Sequence, residues 1–284
     1  MPAFFRRRWT EIPRQPPASF FALGYASLPA EIQIAGDRWQ LVRTFKHDFF
    51  AVTGLYARKI GADLPMATES PHLAVLKVQR TQPFQGLPLR WLGRLAARHE
   101  VAVLKALQGV PGIPTFLGTW GTTGYVHAFI PGEDLRPGLG AGAEFFQALR
   151  ELLQAVHERH VAYVDTNKRE NILYGSDGRP YLIDFQISFL CRRGARDHFL
   201  ARWLLRRLQA EDWYHYYKHK TRLAPQACTA DDFKRAEDRS WYIRAHRRVA
   251  QPMIRWRRKL LARYGRREPQ AEVGAPRKQS DQAP

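Results

Sequence analysis

The chain has 284 residues and an apolar content of 45%, which is typical of a globular protein long enough to bury a large core. Its 45 lysines and arginines outnumber 26 acidic residues, and the formal net charge of +19 favours polyanionic partners: RNA, DNA, an anionic membrane face or a phosphorylated substrate. No run approaches the roughly 20 apolar residues of a membrane span, and the two cysteines, Cys191 and Cys228, match no metal spacing, which excludes a membrane-spanning helix and a cysteine-based metal site.

The first half of the chain is predicted to be rich in strands. Residues 1–35 carry many prolines and little periodicity, which indicates an irregular extension. Alternating apolar residues then predict two strands within 38–58 and one within 71–80. Apolar residues at helical spacing predict a helix at 87–108. Two further strands are expected at 115–120 and 125–130.

The second half is predicted to be mainly helical. A linker begins at Pro131 and runs through Gly142. An amphipathic helix at 143–160 leads directly into a polar loop. Residues from 266 onward lack large apolar groups and are predicted to be disordered. Two further helices are expected at 197–208 and 240–264.

The polar loop and the strand after it present three oxygen-bearing side chains. Asp165 and Asn171 lie in the loop, and the apolar strand 181–183 ends on Asp184. Magnesium prefers hard oxygen ligands and usually takes only one or two from the protein. A further carboxylate can accept the proton of an attacking hydroxyl. Taken singly, these residue types also cap loops and turns, but together they predict a magnesium site beside a hydroxyl nucleophile.

A lysine and a glutamate come before the polar loop. Lys77 lies in a predicted strand and Glu100 in the predicted helix that follows. Each alone is compatible with a solvated surface side chain. Their order and spacing ahead of Asp165 and Asp184 favour a shared functional site.

In this order the residues resemble those of the protein-kinase-like superfamily. The segment from Tyr163 to Asn171 is similar to its catalytic loop, and Asp184-Phe185-Gln186 is similar to its Asp-Phe-Gly motif. The resemblance extends over about residues 36–215. It implies an α+β, two-lobed protein-kinase-like fold, with a β-rich N-lobe that contains one helix and a mainly helical C-lobe. The implied organisation is an extension at 1–35, an N-lobe at 36–130, a C-lobe at 131–265 and a tail at 266–284.

The resemblance also implies ATP and Mg²⁺ as cofactors and a role for each site residue. Asp165 is the expected catalytic base, and Asn171 and Asp184 are the expected metal ligands. Backbone groups near Ala128 and Ile130 would bind adenine. The residues expected to bind the cofactor are Lys77, Glu100, Ala128, Ile130 and Lys46.

Several positions differ from the common family pattern. Five residues separate Asp165 from Asn171 where the family has four, so Asn167 is an alternative candidate for one role. Gln186 stands where glycine is usual, and Val164 replaces the loop arginine. The glycine-rich phosphate loop is missing, and Lys46 or His47 would supply positive charge there instead. No Ala-Pro-Glu segment is present.

These differences favour the compact bacterial members of the superfamily over typical Ser/Thr protein kinases. The chain is most similar to lipopolysaccharide core sugar kinases, which act on Kdo or heptose, and to RIO-like kinases; aminoglycoside phosphotransferases are a further comparison. The expected acceptor is therefore a sugar hydroxyl on a lipopolysaccharide-type precursor. A protein Ser/Thr hydroxyl, a pseudokinase without turnover, and a basic RNA-binding module remain as alternatives. The last of these leaves the acidic residues unexplained.

The C-terminal region is strongly basic. Residues 239–267 contain eleven lysines and arginines, no acidic residue, and interleaved aromatic side chains. An amphipathic basic helix of this kind suits the surface of an anionic membrane. It also suits RNA, or packing of a C-lobe helix through its aromatic face. We expect a cytoplasmic protein that takes a peripheral position at the inner membrane face if this helix binds lipid.

Overall fold

A six-stranded antiparallel sheet dominates the first part of the described chain. The structure, a computed structural model, describes residues 16–59, 72–196 and 198–238. The strand order is β1-β2-β3-β4-β6-β5, and every neighbouring pair is antiparallel. The strands are β1 (Glu31–Ile34), β2 (Asp37–His47), β3 (Ala51–Arg58), β4 (Leu73–Gln79), β5 (Phe116–Trp120) and β6 (Gly124–Ala128).

The predicted strands within 38–58, 71–80, 115–120 and 125–130 are confirmed. β3 and β4 are the central strands, and nearly all of their residues are buried, as expected where both faces of a strand are covered. One face packs Trp39, Tyr56, Leu76 and Val126 into a single apolar cluster. β1 lies in the segment that was predicted to be irregular. Its four residues have too short an alternation to be recognised without the pairing to β2.

One helix, α1 (Arg90–Ala106), connects β4 to β5 and confirms the helix predicted at 87–108. Its buried residues recur every three or four positions, from Gly93 through Ala97 and Glu100 to Leu104. A Cβ on Gly93 would lie 2.0 Å from the backbone oxygen of Arg80, so only glycine lets the helix approach this closely. The approach places Glu100 beside the central strands.

The second part of the described chain is mixed, with three helices and five short strands. α2 (Ala143–Glu158) confirms the helix predicted at 143–160, and α3 (Phe199–Leu223) and α4 (Ala230–Glu237) follow it. Apolar side chains of α1, α2 and α3 share one core with the neighbouring strands. The short strands are β7 (Gly132–Asp134), β8 (Val161–Ala162), β9 (Ile172–Gly175), β10 (Pro180–Leu182) and β11 (Phe189–Leu190).

The structure corrects two predicted boundaries. The helix predicted at 197–208 continues to Leu223. Its second half was not predicted, because the buried face there carries Asp212, Tyr216 and His219 rather than a periodic row of apolar residues. The predicted linker at 131–142 contains β7, which pairs with β9. β9 also pairs with β10, and β8 pairs with β11. These small sheets hold the two ends of the polar loop.

Some predictions lie outside the described residues. They are the helix at 240–264, the disordered tail from 266, and membrane binding through the basic segment 239–267. In the part of the chain that the structure describes, no helix is long and apolar enough to cross a membrane.

Candidate functional site

Three predicted site residues meet at the ammonium group of Lys77. Its Nζ lies 2.8 Å from Glu100 Oε2 and 2.8 Å from Asp184 Oδ1. Lys77 is on β4, Glu100 is on α1, and Asp184 follows β10, more than a hundred residues further along the chain. Lys77 and Glu100 are buried, whereas the Asp184 side chain is 37% exposed. The ion pairs therefore join the six-stranded sheet to the loop after β10, with only Asp184 open to solvent.

The buried Glu100 carboxylate has a full set of donors. Tyr125 donates its hydroxyl to Oε2 at 2.6 Å, and Gln79 donates its amide to Oε1. A carboxylate with no exposed surface is stable only when its oxygens are paired and hydrogen bonded in this way. Burial opposes the charge on Lys77, but the two carboxylates outweigh it and raise the Lys77 pKa, so the ammonium stays charged. Sequence patterns missed Gln79 and Tyr125.

Asp184 combines an uncommon backbone conformation with a carboxylate that stays ionised. Its φ of 60° lies in the left-handed region, which is uncommon for residues other than glycine. Burial would raise its pKa, but the charge and hydrogen bond of Lys77 outweigh burial, and the net effect is a lowered pKa. Asp184 is therefore ionised at neutral pH and holds a partly exposed negative charge.

Asp165 and Asn171 are also in direct contact. Asn171 donates its amide Nδ2 to Asp165 Oδ2 at 2.7 Å, and Lys168 lies 2.6 Å from the same oxygen. The five intervening residues form two successive turns of 3₁₀ helix, which accommodate the spacing. Asn167, the alternative candidate, is exposed, and Asn171 is the residue that is hydrogen bonded to Asp165.

The two parts of the site are joined by hydrogen bonds to the backbone carbonyls of Asn171 and Ile183. The Ile183 amide donates to the Asn171 carbonyl at 3.0 Å. The Tyr163 hydroxyl donates to the Asn171 carbonyl at 3.1 Å and also to the carbonyl of Ile183. Since Ile183 precedes Asp184, these bonds hold Asp184 next to the loop that carries Asp165 and Asn171.

A buried aspartate of α3, Asp212, organises the start of the polar loop. It accepts the backbone amides of Tyr163 and Val164, each at 2.8 Å, and the hydroxyl of Thr166 at 2.5 Å. His157 lies 3.0 Å from its second oxygen. Val164 has a φ of 68°, which is strained for a β-branched residue, so the surrounding bonds must hold it there.

Asp212 was missed by sequence reasoning. The available signal was the pair Glu211 and Asp212, the two acidic residues of a long basic and aromatic segment at 202–222. That signal indicates burial or pairing but does not identify the partners.

The expected adenine-binding backbone lies at the end of β6. The Ala128 amide already donates to the Thr115 carbonyl at 2.8 Å, so only its carbonyl remains for a ligand. His127 Nδ1 lies 2.9 Å from that carbonyl and donates to it, which leaves one lone pair. Burial lowers the pKa of His127 to about 4, so the ring is neutral at neutral pH. Ile130 is partly buried two residues further on.

The predicted phosphate-binding Lys46 lies near the end of β2, just before the turn to β3. Its Nζ pairs with Asp48 Oδ2 at 2.9 Å, and its side chain is largely exposed. Asp48 also accepts the backbone amides of Phe50 and Ala51. His47 Nε2 accepts the amide of Leu23 at 3.2 Å. In the described part of the chain, therefore, Lys46 forms its ion pair with Asp48, just after the end of β2, rather than with the Lys77 cluster.

Asn171 and Asp184 each keep a side-chain oxygen that is not used in the hydrogen bonds described above. Among the described residues, no group of three or more His, Cys, Asp or Glu side chains is placed to hold a metal. Mg²⁺ commonly takes one or two protein oxygens and completes its shell with phosphate and water. Asn171 donates through Nδ2, which leaves its Oδ1 for a cation, and Asp184 binds Lys77 through one oxygen only.

The basicity of Asp165 depends on Lys168. Burial raises the Asp165 pKa, and the hydrogen bond and charge of Lys168 partly offset this effect. If Asp165 acts as a base, replacing Lys168 with Gln should raise its pKa further. The acidic limb of the kcat/KM profile should then move to higher pH, as measured by initial rates across pH. Lys168→Arg keeps the charge and should leave the limb near its wild-type position; equal profiles for both variants would contradict the coupling.

No protein-family model matches this chain, and no curated protein matches it.

Proposed function

We propose that this protein is an ATP- and Mg²⁺-dependent phosphotransferase with a two-lobed, protein-kinase-like fold. One observation carries the proposal: Lys77 binds Glu100 and Asp184 together, while Asp184 is tied to the loop of Asp165 and Asn171. Lys77 and Glu100 were selected from sequence because of their resemblance to a phosphate-binding lysine and its partner. Their contact across the sheet and helix supports that choice.

The charges suit a phosphate chain placed between Lys77 and the polar loop. A buried ammonium group neutralises phosphate oxygens, and Glu100 keeps it in one orientation. Asn171 and Asp184 would hold Mg²⁺, which supplies charge stabilisation for phosphoryl transfer. Lys168 lies beside Asp165 with about half of its side chain exposed, and adds a second positive charge near the position of the terminal phosphate.

Asp165 is the proposed base. Its carboxylate is held by Asn171 and Lys168, and burial raises its pKa toward the range in which a base accepts a proton readily. In this role Asp165 aligns the acceptor hydroxyl and receives its proton as the phosphoryl group is transferred. The proposed acceptor is a sugar hydroxyl of a lipopolysaccharide-type molecule, on the strength of the resemblance. A protein Ser/Thr hydroxyl is the alternative.

A second candidate is a nucleotide-binding pseudokinase without turnover. The observation that favours it is the β2–β3 turn, which is closed by the Asp48 side chain. No glycine occurs between residues 37 and 53, so the backbone cradle that usually positions the phosphates is not offered by this segment. The pseudokinase would bind ATP and Mg²⁺ yet fail to transfer phosphate to any acceptor.

Replacing Asp184 with Asn tests the nucleotide site. We expect Mg²⁺-dependent ATP binding to weaken by about tenfold or more, because Asp184, which is both the proposed metal ligand and a partner of Lys77, loses its charge. Titration calorimetry with and without Mg²⁺ measures this. Asp231→Asn is the matched control, because Asp231 forms an exposed ion pair with Arg235 on α4. Equal Mg²⁺ dependence in wild type and Asp184→Asn would contradict metal binding by Asp184.

A further inference from the structure

The first turns of α3 expose three large apolar side chains. Phe199, Leu200 and Trp203 are 72%, 62% and 61% exposed, whereas Leu205 of the same helix is buried. Phe199 and Trp203 lie one helical turn apart, so their rings share a face. We call these three residues the α3 cluster. Contiguous exposed apolar groups of this kind mark interaction surfaces.

Arginines flank the α3 cluster along the chain. Residues 192–206 contain five arginines and a single acidic residue, Asp197. Arg206 continues the row of Phe199 and Trp203 along the helix, one turn further on. The apolar residues of the cluster therefore stand among exposed positive charges in the sequence. The exposed arginines of this segment are Arg192, Arg193, Arg202 and Arg206.

A second group with the same composition lies at the start of α1. Residues 87–99 contain three arginines, all exposed, and no acidic residue. The opposite face of the helix is buried and carries Glu100. The exposed apolar residues, which we call the α1 cluster, are Leu87, Trp91, Leu92 and Leu95.

The segment that follows Asp184 lies between these two helices. On one side His99 of α1 donates to the Ser188 carbonyl at 2.8 Å. On the other side Phe189 packs against the buried cluster around Leu205 of α3. Ile187, in the same segment, is 53% exposed. Exposed apolar side chains therefore occur on both flanking helices and on the segment between them, close to the candidate active site.

We propose that the α1 and α3 clusters form a docking surface for an anionic lipid bilayer. Tryptophan is favoured at the boundary between headgroups and acyl chains, and Phe and Leu side chains gain by entering the apolar layer. Arginines around them bind lipid phosphates while their stems lie along apolar surface. The two clusters supply both kinds of interaction, and their excess of positive charge is complementary to an anionic surface.

Two other occupants fit the charges less well. A second copy of this chain would bring two surfaces of the same sign together, in a protein whose net charge is +19. Single-stranded RNA would use aromatic stacking, but five of the eight exposed apolar residues are Leu or Ile, which do not stack on bases. A bilayer accepts aliphatic and aromatic side chains alike.

The docking surface goes beyond the phosphotransferase reaction. Only its consequence for the substrate rests on the proposed function: docking through the segment after Asp184 would present Asp165 to hydroxyl groups carried on lipid. Binding to vesicles needs neither nucleotide nor turnover. We therefore expect the Asp165→Asn variant to bind vesicles as the wild type does, so the two proposals can fail separately.

Sedimentation of the full-length protein with phosphatidylcholine vesicles, with and without phosphatidylglycerol, tests the surface. We expect strong binding only to the anionic vesicles. The triple variant Phe199→Ser, Leu200→Ser and Trp203→Ser should bind about tenfold more weakly or worse, because the apolar contribution of the α3 cluster is lost. Phe233→Ser, at an exposed apolar residue of α4, is the matched control and should bind normally.

Four outcomes would overturn the proposal. The most direct of these would be equal binding of the wild type and the triple variant to anionic vesicles. Loss of binding only on charge reversal of Arg255, Arg257 and Arg258 would assign lipid binding to the basic segment 239–267 instead. A dimer in sedimentation velocity that the triple variant abolishes would assign the clusters to self-association. Competition by RNA that depends on the α3 cluster would identify a nucleic-acid surface.

Discussion

Asp165→Asn should abolish nearly all phosphoryl transfer while leaving the protein folded. Loss of a general base lowers the rate by about 10²- to 10⁴-fold, and asparagine keeps the shape of the side chain. Its carbonyl oxygen can still accept from Asn171 and Lys168, so the loop geometry is retained. Initial rates of ATP turnover with the acceptor, together with titration calorimetry of ATP, separate the loss of turnover from any loss of binding.

The same substitution should not lower stability at neutral pH. The folded pKa of Asp165 is raised, so the protonated form favours folding, and this contribution is lost as pH rises through the folded pKa. A neutral asparagine avoids ionisation of the buried carboxyl above that pH. Thermal unfolding at neutral pH should therefore give a Tm equal to or above that of the wild type.

Glu170→Gln is the matched control for Asp165→Asn. Glu170 is an exposed carboxylate on the same loop, and its neutralisation makes an equal change in net charge. Turnover should remain near the wild-type rate. If Asp165→Asn retained substantial activity, Asp165 would not be the base. If the wild type bound ATP but phosphorylated neither sugar nor protein acceptors, the protein would be a pseudokinase rather than a phosphotransferase.

Asp212→Ala should destabilise the protein by about 3–5 kcal/mol, because it leaves buried donors without an acceptor. The backbone amides of Tyr163 and Val164 both donate to this fully buried carboxylate. The strained backbone at Val164 also loses its restraint. Because Asp165 is the next residue, turnover should fall together with stability. Chemical denaturation measures the first effect and initial rates measure the second.

Two further variants separate the effect of Asp212 on the polar loop from a general loss of buried hydrogen bonds in α3. Asp212→Asn keeps the volume but offers one acceptor oxygen, so we expect a smaller loss of stability with a clear loss of turnover. Tyr216→Phe removes a buried hydrogen bond of the same helix, from the hydroxyl to the Phe146 carbonyl at 2.8 Å. It should lose about 1 kcal/mol and keep its activity. If Tyr216→Phe lost as much turnover as Asp212→Asn, the loss would result from any weakening of α3 packing and not from the hydrogen bonds of Asp212 to the loop.

The strands β2 to β6 and the helices α1 and α2 were predictable from the sequence, whereas β1 and α4 were not. The alternation in β3 and β4 and the periodicity of α1 and α2 are local patterns, and a local pattern is present in the chain before it folds. Lys77, Glu100, Asp165, Asn171 and Asp184 were selected because their order resembles a known superfamily. The structure then brings them into two contacting groups.

Lys46 is the site residue for which the resemblance to the superfamily gave the least support. It was chosen to replace a missing glycine-rich loop, but its ammonium pairs with Asp48 two residues away. An exposed charge at the end of a strand has many partners of similar energy, and the sequence does not distinguish among them. α3 shows a related difficulty, because its buried polar residues interrupt the apolar period on which helix prediction depends.

The sequence by itself determined the order of β2 to β6 and of α1 and α2, the positive charge, and the acidic and amide residues suited to magnesium and a hydroxyl nucleophile. Only the tertiary structure decided which partners those residues have. Asp212 supports a loop that lies about fifty residues earlier, and Gln79 and Tyr125 complete the shell of Glu100. A buried charge is stable only where distant donors converge on it, and that convergence exists only after the chain has packed.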